Sequence, residues 1–284
     1  MHLIFRGLAG LLLLCTWPKV MAAEVLPSSV IVEYSADAAG NSDYLLSMDV
    51  ALPGAARLLL DSGQIKSDTD SDIKDKNIYG IAISSDPLGV TVVEGGYSYL
   101  GKEDEISIET LHLAIEWNMD AWYIRYAPQQ RAIRLYTERP LLFRRNYIDV
   151  GSSGYTLGLG YRSRGPWSAD ASYGKHRYNA DIERLADEPR FALLFSPTTY
   201  DLASGLEASR LTASLSYDQV DASYAVLWLQ STSAVDESVA TLYLASWGAP
   251  LNDQWYVEIR GGTLSSDIDD TVLGLGAVSV QFLW

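Results

Sequence analysis

The chain has 284 residues, with 36 acidic side chains against 21 basic ones and a formal net charge of −15 at pH 7. This balance argues against a nucleic-acid-binding surface, which needs a basic footprint, and against electrostatic docking on anionic lipid. No apolar run reaches the roughly 20 residues of a transmembrane helix, although 48% of the residues are hydrophobic.

The first 23 residues are typical of a secretory signal peptide. Arg6 precedes the apolar run 8–14, and small residues follow at Ala22 and Ala23. We therefore divide the chain into a signal peptide, 1–23, and a single domain, 24–284. Cleavage would remove Cys15, so the mature domain would contain no cysteine and no disulfide framework.

The mature sequence alternates apolar and polar residues in segments separated by turn residues, which is the pattern of strands with two different faces. In chain order the predicted strands are 29–36, 44–52, 57–66, 78–84, 90–99, 106–117, 121–137, 148–162, 167–179, 210–217, 222–231, 238–247, 254–264 and 271–284. The fold class is therefore all-β, an antiparallel barrel of about 14 strands, with 12 as the alternative count.

The connections between these strands alternate in length. Every second connection is a short turn, whereas the others tend to be longer and acidic, up to the segment 180–209. Transmembrane β-barrels combine short periplasmic turns with longer external loops. The sequence thus predicts a transmembrane barrel with both termini in the periplasm and 180–209 as an external loop. The apolar stretch 191–197 within that loop indicates a constriction in the barrel mouth, an extension of the barrel wall or a surface hairpin.

Aromatic residues flank the short turns at one level of the predicted barrel. An aromatic ring with a polar edge is stable where lipid headgroups meet acyl chains. We therefore predict a membrane-interface girdle of Trp117, Trp122, Tyr161, Trp167, Tyr217, Tyr224, Trp247, Trp255 and Trp284.

The predicted strand 121–137 changes parity along its length. Trp122 and Ile124 would face outward before the segment 127–129, and Ile133 and Leu135 after it. Proline is tolerated at β-bulges, so Pro128 would mark a bulge. A tight turn at the same place is the alternative.

The end of the chain carries alternating apolar residues and finishes on an aromatic. Val278, Val280, Phe282 and Trp284 share one strand face. In this the chain resembles the terminal strand of bacterial outer-membrane β-barrel proteins, a porin-like class, although Trp284 stands where phenylalanine is usual. The resemblance implies location in the cell outer membrane of a Gram-negative bacterium, contact with its lipid and lipopolysaccharide, and the barrel assembly machinery as a partner. It matches no particular family within the class, so no functional residues follow from it.

Catalytic and metal-binding patterns are weak. Neither His112 nor His176 begins the His-x-Ser pair of outer-membrane lipid hydrolases, so we expect no catalytic residues and no enzyme. The acidic segment 68–75 lacks the glycine and terminal glutamate of a calcium loop, and no metal or cofactor is predicted.

Charged residues on the predicted inward faces give the main functional indication. The candidates are Asp49, Glu116, Arg125, Arg134, Arg162, Asp170, Arg210, Glu258 and Arg260. Such charges line a hydrated pore or pair with each other and fill the interior. Our main hypothesis is a monomeric pore or transporter for a small-solute substrate. The alternatives are a structural or surface-interaction barrel with a plugged interior and acidic external loops, and an outer-membrane lipid hydrolase.

Overall fold

The computed structural model is a closed antiparallel β-barrel of 14 strands. It describes residues 27–53, 56–66, 75–85, 90–102, 106–138, 145–163, 165–179, 207–219, 222–234, 239–267 and 272–284. The predicted signal peptide and residues 180–206 of the predicted external loop lie outside these ranges.

The strands are 9 to 18 residues long, and alternating segments bounded by turn residues favour such strands. Their bounds are β1 Ser29–Asp37, β2 Ser42–Leu52, β3 Ala56–Lys66, β4 Asp75–Ser85, β5 Thr91–Lys102, β6 Ile106–Met119, β7 Trp122–Glu138, β8 Arg145–Arg162, β9 Trp167–Tyr178, β10 Glu207–Asp218, β11 Tyr224–Ala234, β12 Val239–Pro250, β13 Trp255–Ser266 and β14 Val272–Leu283. The predicted fold class and strand number are confirmed.

Each strand pairs with its neighbours in sequence, and β1 pairs with β14 to close the barrel. In that closing ladder Val30 lies opposite Phe282 and Tyr34 opposite Val278. Closure leaves no unpaired strand edge, which is the condition for a sheet to lie in lipid. We call the end that carries Ser29 and Trp284 the terminal end, and the opposite end the loop end, since it carries the segment between β9 and β10.

Side chains alternate between the two faces of the wall with period two. In β10, Leu211 and Leu215 are exposed on the outer face, whereas Thr212 and Ser214 line the interior. The part of the chain that the structure describes contains no helix long and apolar enough to cross a membrane.

The predicted bulge at Pro128 is wrong. Tyr126 pairs with Ile115, Gln129 pairs with His112, and the register is the same on both sides of the proline. Only Leu113 and Ala114 of β6 are unpaired with β7, because proline has no N–H to donate to the ladder. No extra residue is inserted, so there is no bulge. The parity of β7 therefore stays constant, and Ile133 faces inward, 1% exposed.

A register shift does occur at the start of β10, between Glu207 and Ser209. Residues 207–209, which the sequence placed in the external loop, thus belong to the barrel wall. The extra residue turns the Glu207 side chain into the interior, where it is 3% exposed.

Candidate functional site: the barrel interior

The outer face carries an aromatic girdle at the terminal end. Eight of the nine predicted members lie there with exposed rings, namely Trp117, Trp122, Tyr161, Trp167, Tyr217, Trp247, Trp255 and Trp284. Rings on neighbouring strands pack together, with centroids 4.7 Å apart for Trp122 and Tyr161 and 4.6 Å apart for Trp167 and Tyr217.

Tyr224 is the exception, and its placement in the girdle is wrong. It is the first residue of β11 and faces the same side as Trp228, and its hydroxyl donates to the Glu258 carboxylate inside the barrel. Alternation along β11 places Tyr224 inward, because Leu227, an odd number of residues away, faces outward at 61% exposed.

A second aromatic level on the outer face was not predicted. It lies closer to the loop end and consists of tyrosines, with Tyr34, Tyr44, Tyr79, Tyr97, Tyr173 and Tyr243 exposed. Trp167 and Tyr173 of β9 belong to the two levels, and their separation of six positions corresponds to roughly 20 Å along the strand. Exposed apolar side chains such as Leu227 and Ile259 fill the space between the levels. This exterior matches the apolar band with two aromatic borders of a transmembrane barrel.

The interior receives eight of the nine predicted charges on the inward faces of their strands. They are Asp49, Glu116, Arg125, Arg162, Asp170, Arg210, Glu258 and Arg260. The ninth, Arg134, is misplaced because the assumed bulge inverted its parity. It lies on the outer face, where its Nε is 2.8 Å from Asp149, with both side chains about half exposed.

Most interior charges pair along the wall. Arg57 Nε donates to Asp49 over 2.8 Å, between neighbouring strands. Glu94 accepts from Arg125 over 3.0 Å and lies 3.2 Å from His112 Nε2. Because these partners come from adjacent or next-but-one strands, the pairs lie along the inner surface of the wall and do not cross the barrel.

A second network joins the two ends of the chain. Arg260 of β13 donates from Nη1 and Nη2 to the two carboxylate oxygens of Glu33 in β1, over 3.1 and 2.9 Å. It also donates from Nε to Glu258. The guanidinium thereby bridges β14 beside the closing seam of the barrel. Glu33 was not predicted, although the alternation of 29–36 places it on the inward face.

A buried ionic cluster lies near the loop end. Glu207 accepts from Arg210 and lies 3.8 Å from Arg131 Nη2, and the side chains of Glu207 and Arg131 are 2% and 5% exposed. The Tyr178 hydroxyl donates to the Glu207 carbonyl over 2.8 Å. Arg131 was missed because the assumed bulge placed it outward, and Glu207 because it was assigned to a loop.

Apolar side chains share the interior with this cluster. Those of Ile65, Ile78, Ile108, Ile133, Val150, Leu242 and Leu264 are buried and face inward in the loop-end half of their strands. They narrow the interior at that level, whereas most of the ionic groups lie in the terminal half.

The described residues border two cavities in the interior. One, of about 610 Å³, is bordered by Glu94, His112, Arg125, Arg131 and Asp170 among others. The second, of about 310 Å³, is bordered by Glu33, Asp37, Asp43 and Arg260 among others. Arg210, Thr212 and Trp228 border both cavities and therefore form part of the partition between them.

Catalytic geometry is incomplete at the one Ser–His contact that the structure gives among its described residues. Ser152 Oγ lies 3.2 Å from His176 Nδ1, and both residues are buried. His176 Nε2 has no hydrogen-bond partner in the described part of the chain, so no carboxylate orients the ring as in a catalytic triad. Among these residues there is also no group of three or more potential metal ligands.

The sequence and structure comparisons differ in what they find. No family model and no curated protein matches the chain. Among solved structures, a loop L8 deletion mutant of OmpT, an outer membrane protein of Vibrio cholerae, matches with a TM-score of 0.51 at 10% identity, covering 90% of this chain and 97% of that one.

Two porins match at lower TM-scores. The anion-selective porin from Comamonas acidovorans has a TM-score of 0.49 at 9% identity, covering 91% of this chain and 99% of that one. KdgM porin has a TM-score of 0.43 at 10% identity, covering 90% and 99% of the two chains. At these identities the likeness concerns the fold alone, and the chain is similar in fold to an outer-membrane β-barrel.

Proposed function

We propose that the chain is an outer-membrane barrel that passes small solutes through its interior. The observation that carries this proposal is the arrangement of the interior charges. Apart from the cluster of Arg131, Glu207 and Arg210, they pair along the wall, and the interior keeps cavities of about 610 and 310 Å³ that give water and solute space. Barrels of 14 strands lie between small barrels filled by side chains and the wide aqueous channels of 16 to 18 strands.

The exterior supports the location. The exposed apolar band, bordered by the aromatic girdle at the terminal end and by the tyrosine level nearer the loop end, would aggregate in water but is stable in a bilayer. The outer-face residues Val278, Val280, Phe282 and Trp284 of the last strand would serve the barrel assembly machinery as its recognition signal. Lipopolysaccharide and phospholipid would surround the barrel, which we propose to act as a monomer and not as an enzyme.

One observation favours a second candidate function. The buried cluster of Arg131, Glu207 and Arg210 and the inward apolar side chains near it partly fill the interior at the loop end. A barrel closed at that level would be a structural or surface-interaction protein that acts through its external surface.

Swelling of proteoliposomes tests the proposal against this alternative. The refolded mature barrel should permit swelling in arabinose and progressively less swelling in raffinose and stachyose, because a narrow interior sieves by size. Heat-denatured protein serves as the control. Swelling no faster than in protein-free liposomes, with folding verified by heat-dependent gel mobility, would favour the closed barrel.

A further inference from the structure

The Arg131 guanidinium is poorly satisfied for a buried cation. Its Nη2 donates to Gln129 Oε1 over 3.3 Å and lies 3.8 Å from Glu207, beyond hydrogen-bond distance, and the Tyr178 hydroxyl is a further neighbour. Its Nη1 is buried and has no hydrogen-bond partner among the described residues. Buried guanidinium groups in proteins normally use their donors, so a free Nη1 in a side chain only 5% exposed indicates a place for an acceptor.

The surroundings of Arg131 are also polar and buried. Arg210 contacts the same Glu207 carboxylate, so two guanidinium groups meet at this one acidic side chain. Ser152, which lies directly opposite Arg131 in the β7–β8 ladder, contacts His176. The Nε2 atom of His176 is the other buried polar atom without a hydrogen-bond partner in the described part of the chain.

The cluster also borders the space inside the barrel. Arg131 and Arg210 both border the cavity of about 610 Å³, and Arg210 borders the smaller cavity as well. Toward the terminal end the larger cavity is bordered by two carboxylates, that of Glu94, which pairs with Arg125, and that of Asp170. A solute with negative charge along its whole length would meet these carboxylates, whereas one charged at a single end would not.

We propose that Arg131 and Arg210 form a binding subsite for a carboxylate or phosphate group at one end of a small solute. The planar fork of a guanidinium binds two oxygens of such a group at once, and the free Nη1 of Arg131 supplies a donor that the protein leaves unused. This inference rests on the proposed function, since the solute reaches the subsite through the barrel. It adds the chemical class of the solute and the residue that selects it.

Current block in planar bilayers tests the subsite. Gluconate, which carries one terminal carboxylate, should reduce the single-channel current, whereas sorbitol, of the same size and uncharged, should not. Arg131→Gln should weaken the gluconate block about tenfold, the loss expected when a charge-assisted hydrogen-bond pair is removed. Block by inorganic phosphate, measured in parallel, distinguishes a carboxylate ligand from a phosphate ligand. If phosphate blocks more strongly than gluconate, the subsite binds a phosphoryl group.

Arg177→Gln is the matched control, because Arg177 lies on the outer face of β9 and the substitution removes the same charge outside the cavity. Its block should equal that of the unmodified barrel. Should Arg131→Gln fail to fold, Arg131→Lys takes its place, with weaker block expected because an ammonium group lacks the fork.

Equal gluconate block in a folded Arg131 variant, or equal block by sorbitol, overturns the subsite but leaves the proposed pore intact. A folded barrel without conductance refutes the proposed function instead, and gluconate calorimetry on the detergent-folded barrel and its Arg131 variant then decides the subsite.

Discussion

The Glu33–Arg260–Glu258 network should stabilise the closure of the barrel, and Arg260→Met tests this. The substitution keeps an unbranched side chain of similar length but removes three donated hydrogen bonds, two to Glu33 and one to Glu258. The two carboxylates would then face each other without a cation. Their side chains are 15% and 18% exposed, so water solvates them incompletely.

The expected loss follows from the strength of these contacts. A hydrogen bond to a charged group contributes about 1.5–3 kcal/mol in proteins, and solvent screening reduces this at a guanidinium that is 33% exposed. We therefore expect Arg260→Met to lower the free energy of unfolding by about 3 kcal/mol. Urea titration of the folded barrel in detergent micelles, followed by tryptophan fluorescence, measures this value.

Arg134→Met is the control for this measurement. The Arg134–Asp149 pair has the same chemistry, but its side chains are 48% and 55% exposed on the outer face, and such pairs contribute about 0–1 kcal/mol. If Arg260→Met costs no more than Arg134→Met, the network does not stabilise the seam and the reasoning from burial and charge is refuted. A double-mutant cycle with Glu33→Gln would isolate the coupling between β1 and β13.

The other predictions concern the outer face and the packing of the interior. Leu227→Arg should destabilise the barrel in lipid vesicles by about 2–4 kcal/mol, because Leu227 is 61% exposed between the aromatic levels. Val272→Arg is the control: Val272 is 67% exposed but lies at the loop end of β14, so the substitution should cost at most about 1 kcal/mol. Urea titration in vesicles measures both values. Similar losses at the two positions would contradict the placement of the apolar band. Gly160→Ala should lower the free energy of unfolding by about 1–3 kcal/mol, because the new Cβ would overlap the Tyr123 ring and the Asp170 carboxylate. Gly274→Ala, whose Cβ meets no atom within 4 Å, should change it by no more than about 0.5 kcal/mol. An unchanged urea midpoint for Gly160→Ala would refute this packing.

The barrel architecture was predictable because lipid and interior make opposite demands on the two faces of every strand. In β10 the alternation of Leu211, Thr212, Ala213 and Ser214 assigns each residue to its face without knowledge of the neighbouring strands. The aromatic girdle at the terminal end followed from the short turns, which place their flanking residues at one level. The Tyr-rich level was missed because the longer connections at the loop end give no such register in sequence.

The errors in the interior have one main physical source. Apolar alternation predicts an outward face for Ile133, but Ile133 is buried inside the barrel, because the loop-end half of the interior is itself partly apolar. An outward face for Ile133 and Leu135 requires a bulge at Pro128, which the structure does not have. The predicted bulge therefore placed Arg131 outward and Arg134 inward, the reverse of their faces in the structure. Glu207 could not be placed from sequence, because the irregularity beside it in β10 depends on pairing with β11.

The most direct test of the central claim is single-channel recording of the refolded mature barrel in a planar bilayer, with heat-denatured protein as the control. We expect discrete and reproducible current steps, because the cavities inside the barrel provide a hydrated path. A bilayer that stays silent while the inserted protein is folded would contradict it and show that the side chains at the loop end close the barrel.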